Sequence, residues 1–155
     1  MKIVYIHHAE RDRYNGNVPR QEQDITEDGE MEARLLSKKM SYLNPVAIYS
    51  SPYKRCLHTA EILRGDLNIP IIEDSRFNEY DVVETYPEFL KRNMKAIDDI
   101  INKHDEDDVV LCVTSGVNLS AFVCYFTGEK VNADSIKCQG LSISPVLFTT
   151  DGRVL

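Results

Sequence analysis

Apolar runs too short to be helices alternate along this chain with stretches whose apolar residues recur at helical spacing. Residues 2–7, KIVYIH, form a β-branched and aromatic run that reads as a buried strand. Residues 46–49 read as a second strand, 70–72 as a short third one, and 109–114 (VVLCVT) as the most deeply buried. Residues 139–148 predict a last strand, followed by a terminal turn over 149–153. Between them lie helical segments. Thr26 before Glu27-Asp28-Gly29 is a plausible N-cap, and Met31, Leu35, Leu36 and Met40 make an apolar stripe expected to face the core. Asn44-Pro45 breaks the chain after it. Ser51-Pro52 predicts the cap and first residue of a helix running to Gly65. Residues 85–103 are helical with Phe89, Met94, Ile97, Ile100 and Ile101 inward, and a further helix runs from Leu119 to Gly128. This β-α-β-α-β-α-β-α-β order predicts a three-layer α/β/α sandwich with a mostly parallel central sheet, as one domain over 1–155. No repeat, linker or low-complexity segment interrupts it.

Composition narrows the function classes. The 155 residues suffice for one domain with a real core, and 43% hydrophobic against 28% charged residues indicates a globular chain. The net charge of −7 argues against nucleic acid or an anionic membrane as partner. It leaves room for an anionic small substrate in a locally basic pocket. No apolar run approaches the roughly 20 residues of a membrane span, and too few apolar residues follow Met1-Lys2 for a signal peptide, so a cytoplasmic location is expected. Cys56, Cys112, Cys124 and Cys138 are far apart without a CxxC pair, and read as reduced packing thiols rather than a zinc site.

The chemistry-bearing residues cluster where strands stop. The first run ends in His7-His8-Ala9-Glu10-Arg11. The C-terminal ends of strands are where open α/β sheets bind ligands, and imidazole can serve as base, metal ligand or nucleophile. Arg55 falls in the first turn of its helix, where a cation opposes the dipole but can clamp an anion beside the free N–H groups. Ser115-Gly116 follows the strongest strand and precedes a helix, a ready anion site, although a simple N-cap is the plainer reading of Ser115. Arg11, Arg13 and Arg20 lie in a polar loop over 11–24 and singly read as solvated charges. Glu79 by itself reads as a surface acid, and His104, in a charged turn, as solvated.

Taken together these segments resemble the histidine phosphatase superfamily, the phosphoglycerate mutase-like proteins. Ile6-His7-His8-Ala9-Glu10 resembles that family's R-H-G/A-E strand end. Residues 25–33 resemble its L-T-x-x-G-x-x-Q-A helix start, and residues 50–60 its S-S-P-x-x-R-x-x-x-T-A segment. Arg76-Phe77-Asn78-Glu79 resembles the stretch bearing its acid, and residues 110–117 its strand ending in S/T-H-G-G-V. The resemblance implies a phosphoglycerate mutase-like fold and a phosphohistidine mechanism without metal or cofactor. It implies His8 as nucleophile, Glu79 as acid, and Arg55 with His7 and Ser115 around the phosphate. Two positions depart from the pattern. His7 stands where the family has arginine and lacks its bidentate fork, and Ser115 stands where the family has a second histidine. The loop after Glu10 does not follow the family's asparagine and glycine-arginine pattern, and His58 falls on a variable position. Two readings stay open: a phosphomonoester hydrolase of a small phosphorylated substrate, or an inactive relative that binds a phosphorylated ligand or a protein partner. Mutase activity is disfavoured, since the chain lacks long insertions.

Overall fold

A computed structural model describes residues 1–13, 16–131 and 143–151. Its strands are β1 (Lys2–His7), β2 (Ala47–Ser50), β3 (Ile71–Glu73), β4 (Val109–Thr114) and β5 (Pro145–Thr149). Its helices are α1 (Glu27–Ser41), α2 (Lys54–Arg64), α3 (Tyr86–Lys103) and α4 (Leu119–Thr127). The strands form one sheet in the order β3-β2-β4-β1-β5. The first four strands run parallel, and β5 pairs antiparallel with β1.

Side chains alternate across a strand, so each strand feeds two layers. Ile3, Tyr5, Val110 and Cys112 point to one face, where they pack with Phe77, Ile97, Ile100, Phe122 and Phe148. Val4, Ile6, Ile48, Leu111 and Val113 point to the other, against Leu36, Met40, Ala60 and Leu63. Helices α3 and α4 therefore cover one face and α1 and α2 the other. All six residues of β4 are buried, as a parallel strand covered on both sides requires.

The structure moves several expected boundaries. Thr26 caps α1 as predicted, its hydroxyl accepting from Gly29 N at 3.0 Å. The buried face of α1, however, is Gly29, Ala33, Leu36 and Met40. Met31 and Leu35 are 60% and 63% exposed, because the small residues at 29 and 33 set which side of the helix can approach the sheet. Ser51 does not cap α2. Its hydroxyl donates to Asn78 Oδ1 at 2.9 Å and accepts from Tyr53 N at 3.3 Å, Tyr53 takes the extended N-cap position, and the helix begins two residues later than Pro52. Arg55 remains in its first turn. The segment from 74 to 80 contains a 3-10 turn, Ser75–Phe77. Helix α3 has a full capping box between Thr85 and Glu88. His104 is not solvated but lies against the Tyr49 hydroxyl, with 3.0 Å between Nε2 and the oxygen. Strand β5 starts at Pro145 and takes in Thr149, the first residue of the expected terminal turn; residues 139–142 of the expected strand, Cys138 and residues 152–153 of the expected turn lie outside the described residues.

Candidate active site

The polar tails of three neighbouring strands meet at one edge of the sheet. His8 N donates to Thr114 O at 2.9 Å and Ser51 N to Val113 O at 3.1 Å, so the backbone ladder continues past β1 and β2 into the loops. This brings the ends of β1, β2 and β4 together at their C-terminal side, the side where parallel sheets hold ligands.

His8 is buried, 6% exposed, and its protonation pattern follows from its neighbours. Nδ1 lies 2.7 Å from Ala9 O, which can only accept. Nε2 lies 3.1 Å from Arg55 Nε, which can only donate. Nδ1 therefore carries the proton and Nε2 the lone pair. Burial is the main cause that pushes the His8 pKa well below its ordinary 6.5, with the neighbouring His7, Arg55 and Arg11 adding to it against the Ala9 hydrogen bond. The ring is neutral at physiological pH, the form in which an imidazole is a nucleophile. His7 packs on it, with ring centroids 4.3 Å apart.

Arg55 is fully buried and organises the rest. Besides His8 it donates from Nη1 to Arg20 O at 2.7 Å and from Nη2 to Glu79 Oε2 at 2.7 Å, and its guanidinium lies 4.9 Å from the Tyr53 ring centre. The other oxygen of Glu79 pairs with Arg20 at 2.7 Å. Arg11 stands nearby, bonded to Gln23 Oε1 at 2.8 Å. Partial burial first, and then the closeness of Arg55, lower its pKa. In an acidic chain, cations have been gathered around one carboxylate and one neutral imidazole.

Each of these side chains is aimed by groups behind it. Thr59 joins α2 to the tail of β1: its hydroxyl accepts from Ala9 N at 3.1 Å and donates to Arg55 O at 2.6 Å. Glu79 follows a backbone held by three elements. Thr114 and Asn118 donate to Phe77 O, Asn118 also to Asn78 O, and Arg92 of α3 to the carbonyls of Arg76 and Asn78. Arg92 is itself anchored to Glu84, Nε to Oε2, at 2.8 Å.

The family model for the histidine phosphatase superfamily (branch 1) matches residues 3–83 and 81–155. This chain belongs to the histidine phosphatase superfamily. Among curated relatives, Phosphoserine phosphatase 1 of Hydrogenobacter thermophilus is 32% identical over 94% of this chain and 86% of its own length. Among solved structures, a mycobacterial glucosyl-3-phosphoglycerate phosphatase superposes with a TM-score of 0.80 at 16% identity, covering 99% of this chain and 96% of that one. A phosphoserine phosphatase from Entamoeba histolytica does so with 0.79 at 16% identity, over 99% and 93%. At those identities the structural likeness speaks for the phosphoglycerate mutase-like fold.

Four of the five positions that the histidine phosphatase resemblance singles out form one chain of contacts: His7 on His8, His8 on Arg55, Arg55 on Glu79. The fifth, Ser115, lies just after β4, and its buried hydroxyl makes no hydrogen bond of ordinary geometry with a partner among the described residues. It stands at the N-cap position of a 3-10 turn over Gly116–Asn118, where its carbonyl accepts from Asn118 N at 3.0 Å but its hydroxyl makes no capping bond. Sequence reasoning missed Arg20 as a member of this cluster and left Thr59 without a role. The signals for Arg20 were three arginines within ten residues of a strongly acidic chain and the arginine of the family's loop pattern, to which Arg20 does not align cleanly. His58, left structural by the sequence, pairs with Asp24 at 2.7 Å and ties the loop to α2. Cys56 and Cys112 are buried packing thiols, Cys56 pushed up to about 12 mainly by burial.

Proposed function

We propose that this protein is a phosphomonoesterase that hydrolyses a small phosphorylated substrate through a phosphohistidine on His8. The observation that carries the reading is the His8 tautomer: a buried, neutral ring with its Nε2 lone pair turned towards Arg55 in a cationic pocket. In the first step the Nε2 lone pair attacks phosphorus, the N–P bond forms and the P–O bond to the leaving alcohol breaks. Glu79, in its protonated form, delivers its proton to the departing oxygen. In the second step water attacks the phosphohistidine, Glu79 takes its proton back, the N–P bond breaks and inorganic phosphate leaves. Arg55, with hydrogen-bond donors from His7 and Ser115, stabilises the charge spread over the peripheral oxygens. The substrate class follows the relatives, whose names specify phosphoserine and glucosyl-3-phosphoglycerate.

A second reading is a binding protein that holds a phosphorylated ligand without turnover. Two observations favour it: Ser115 offers a hydroxyl where the family pattern has an imidazole, and Glu79 accepts from two guanidiniums instead of facing a leaving group. The discriminating experiment is turnover of an aryl phosphate by wild type and by His8→Ala. Turnover that falls at least about a thousand-fold in the variant supports the nucleophile. Equal turnover in both removes His8 from the mechanism, and none in either favours the binding reading.

A further inference from the structure

Glu79 is held from two sides by cations that come from different parts of the chain. Arg55 reaches one carboxylate oxygen from α2, and Arg20 reaches the other from a 3-10 turn over Arg20–Glu22, each at 2.7 Å. A carboxylate set between two guanidiniums presents to them what two oxygens of a phosphoryl group would present, and an arginine fork accepts either. The same Arg55 donates to His8 Nε2 at 3.1 Å, so this bridge lies beside the nitrogen that would attack phosphorus. A phosphoryl group reacting there carries three peripheral oxygens, more than the fork of Arg55 covers.

Arg20 has 46% of its side chain exposed, and an ordinary ion pair of that exposure contributes little. Its main chain sets it apart. Arg20 O accepts from Arg55 Nη1 at 2.7 Å, so both backbone and side chain of this residue engage the pocket. The turn is braced from behind: Gln23 takes a hydrogen bond from Arg11 at 2.8 Å, Asp12 N donates to Asp24 O at 3.0 Å, and Asp24 pairs with Lys54 at 3.1 Å and with His58. This bracing delivers a guanidinium to a pocket whose position 7 is a histidine.

We infer that Arg20 is the second guanidinium that binds the transferring phosphoryl group, and that Glu79 yields this place when the phosphoryl group enters. The inference rests on the phosphomonoesterase reading for its chemistry, but it is tested by binding alone. Equilibrium titration with inorganic phosphate, at fixed ionic strength and with folding checked by circular dichroism, is compared across four proteins. Arg20→Met is expected to weaken phosphate binding about ten-fold relative to wild type, and Arg20→Lys less. Glu79→Gln is expected to tighten it, because the internal competitor is gone. Phosphate affinity that is equal in wild type and Arg20→Met, or tighter in Arg20→Met, overturns the inference and leaves Arg20 as a partner of the acid only. Failure of Glu79→Gln to bind phosphate also overturns it. Absence of turnover in a wild type whose phosphate affinity responds to Arg20 would instead sink the enzymatic reading and leave this one standing.

Discussion

His8 sits where a proton is unwelcome. It is buried, it has His7 and two arginines close by, and its Nε2 faces a donor. Burial next to cations therefore favours the neutral ring, and the Ala9 carbonyl selects which nitrogen keeps its proton. The sign for activity is direct. With His8 as the proposed nucleophile, a lowered pKa means that the attacking ring stays unprotonated as pH falls through the ordinary value of 6.5. The acid limb of kcat/KM is expected well below that value in a pH profile on an aryl phosphate. A limb at 6.5 or above would show that the nucleophile is not the buried ring. Thr59 acts at the same scale but on position, because one hydroxyl serves both the Ala9 backbone, next to His8, and the Arg55 backbone. Thr59→Val leaves Ala9 N–H buried without an acceptor and is expected to cost about 1–3 kcal/mol in denaturant unfolding.

Among the elements, the decisive approach is that of α1 to the tail of β1. A Cβ on Gly29 would stand 2.7 Å from Glu10 O and 3.0 Å from Glu10 N, both backbone atoms that cannot swing away. Thr26 secures the same contact, its N–H donating to Glu10 O at 2.8 Å and its hydroxyl to Glu10 Oε2 at 3.0 Å. The start of this helix is thus packed directly on the two residues that follow His8. Gly29→Ala is expected to destabilise by roughly 1–3 kcal/mol through overpacking. It should also lower turnover more than Ala33→Gly, a substitution further along the same buried face. Loss of stability with unchanged turnover would mean that the β1 tail does not carry the strain to His8. On the opposite face, α3 supplies Arg92 as the brace of the 76–79 backbone, so Glu79 is aimed by a helix from the other layer.

For the molecule as a whole, the same buried groups set the response to acid. In the unfolded chain His8 binds a proton near 6.5, and in the folded chain it does not, so stability is expected to fall as pH drops below about 6.5. A second loss follows at lower pH. Arg92 holds Glu84 below its ordinary 4.5, and Asp24 is held below 3.8 by His58, Ile25 N and Lys54 although burial works the other way. Their stabilisation is present above those values and lost as pH falls through the lowered ones. Thermal melts from pH 8 to 3 should show both declines, and His8→Gln should flatten only the upper one. A His8→Gln profile parallel to wild type would remove His8 from the upper decline.

The amino-acid sequence by itself determined the layers and the catalytic candidates. Buried parallel strands must be apolar on both faces, which makes β1 and β4 legible as short unbroken runs, and the helices between them follow from apolar spacing. His8, Arg55 and Glu79 were legible because each falls in a local pattern: a strand end, a helix start, a short motif. Which side of α1 is buried was not, since Met31 and Leu35 fit a helical stripe as well as Leu36 does, and only the contact at Gly29 decides between them. Nor was Arg20, whose role depends on a loop folding back so that its carbonyl meets Arg55 and its guanidinium meets Glu79, 59 positions later in the chain. Motifs encode what neighbours in sequence do for one another; the pairing of charges from separate loops is settled only when the sheet brings their strands side by side.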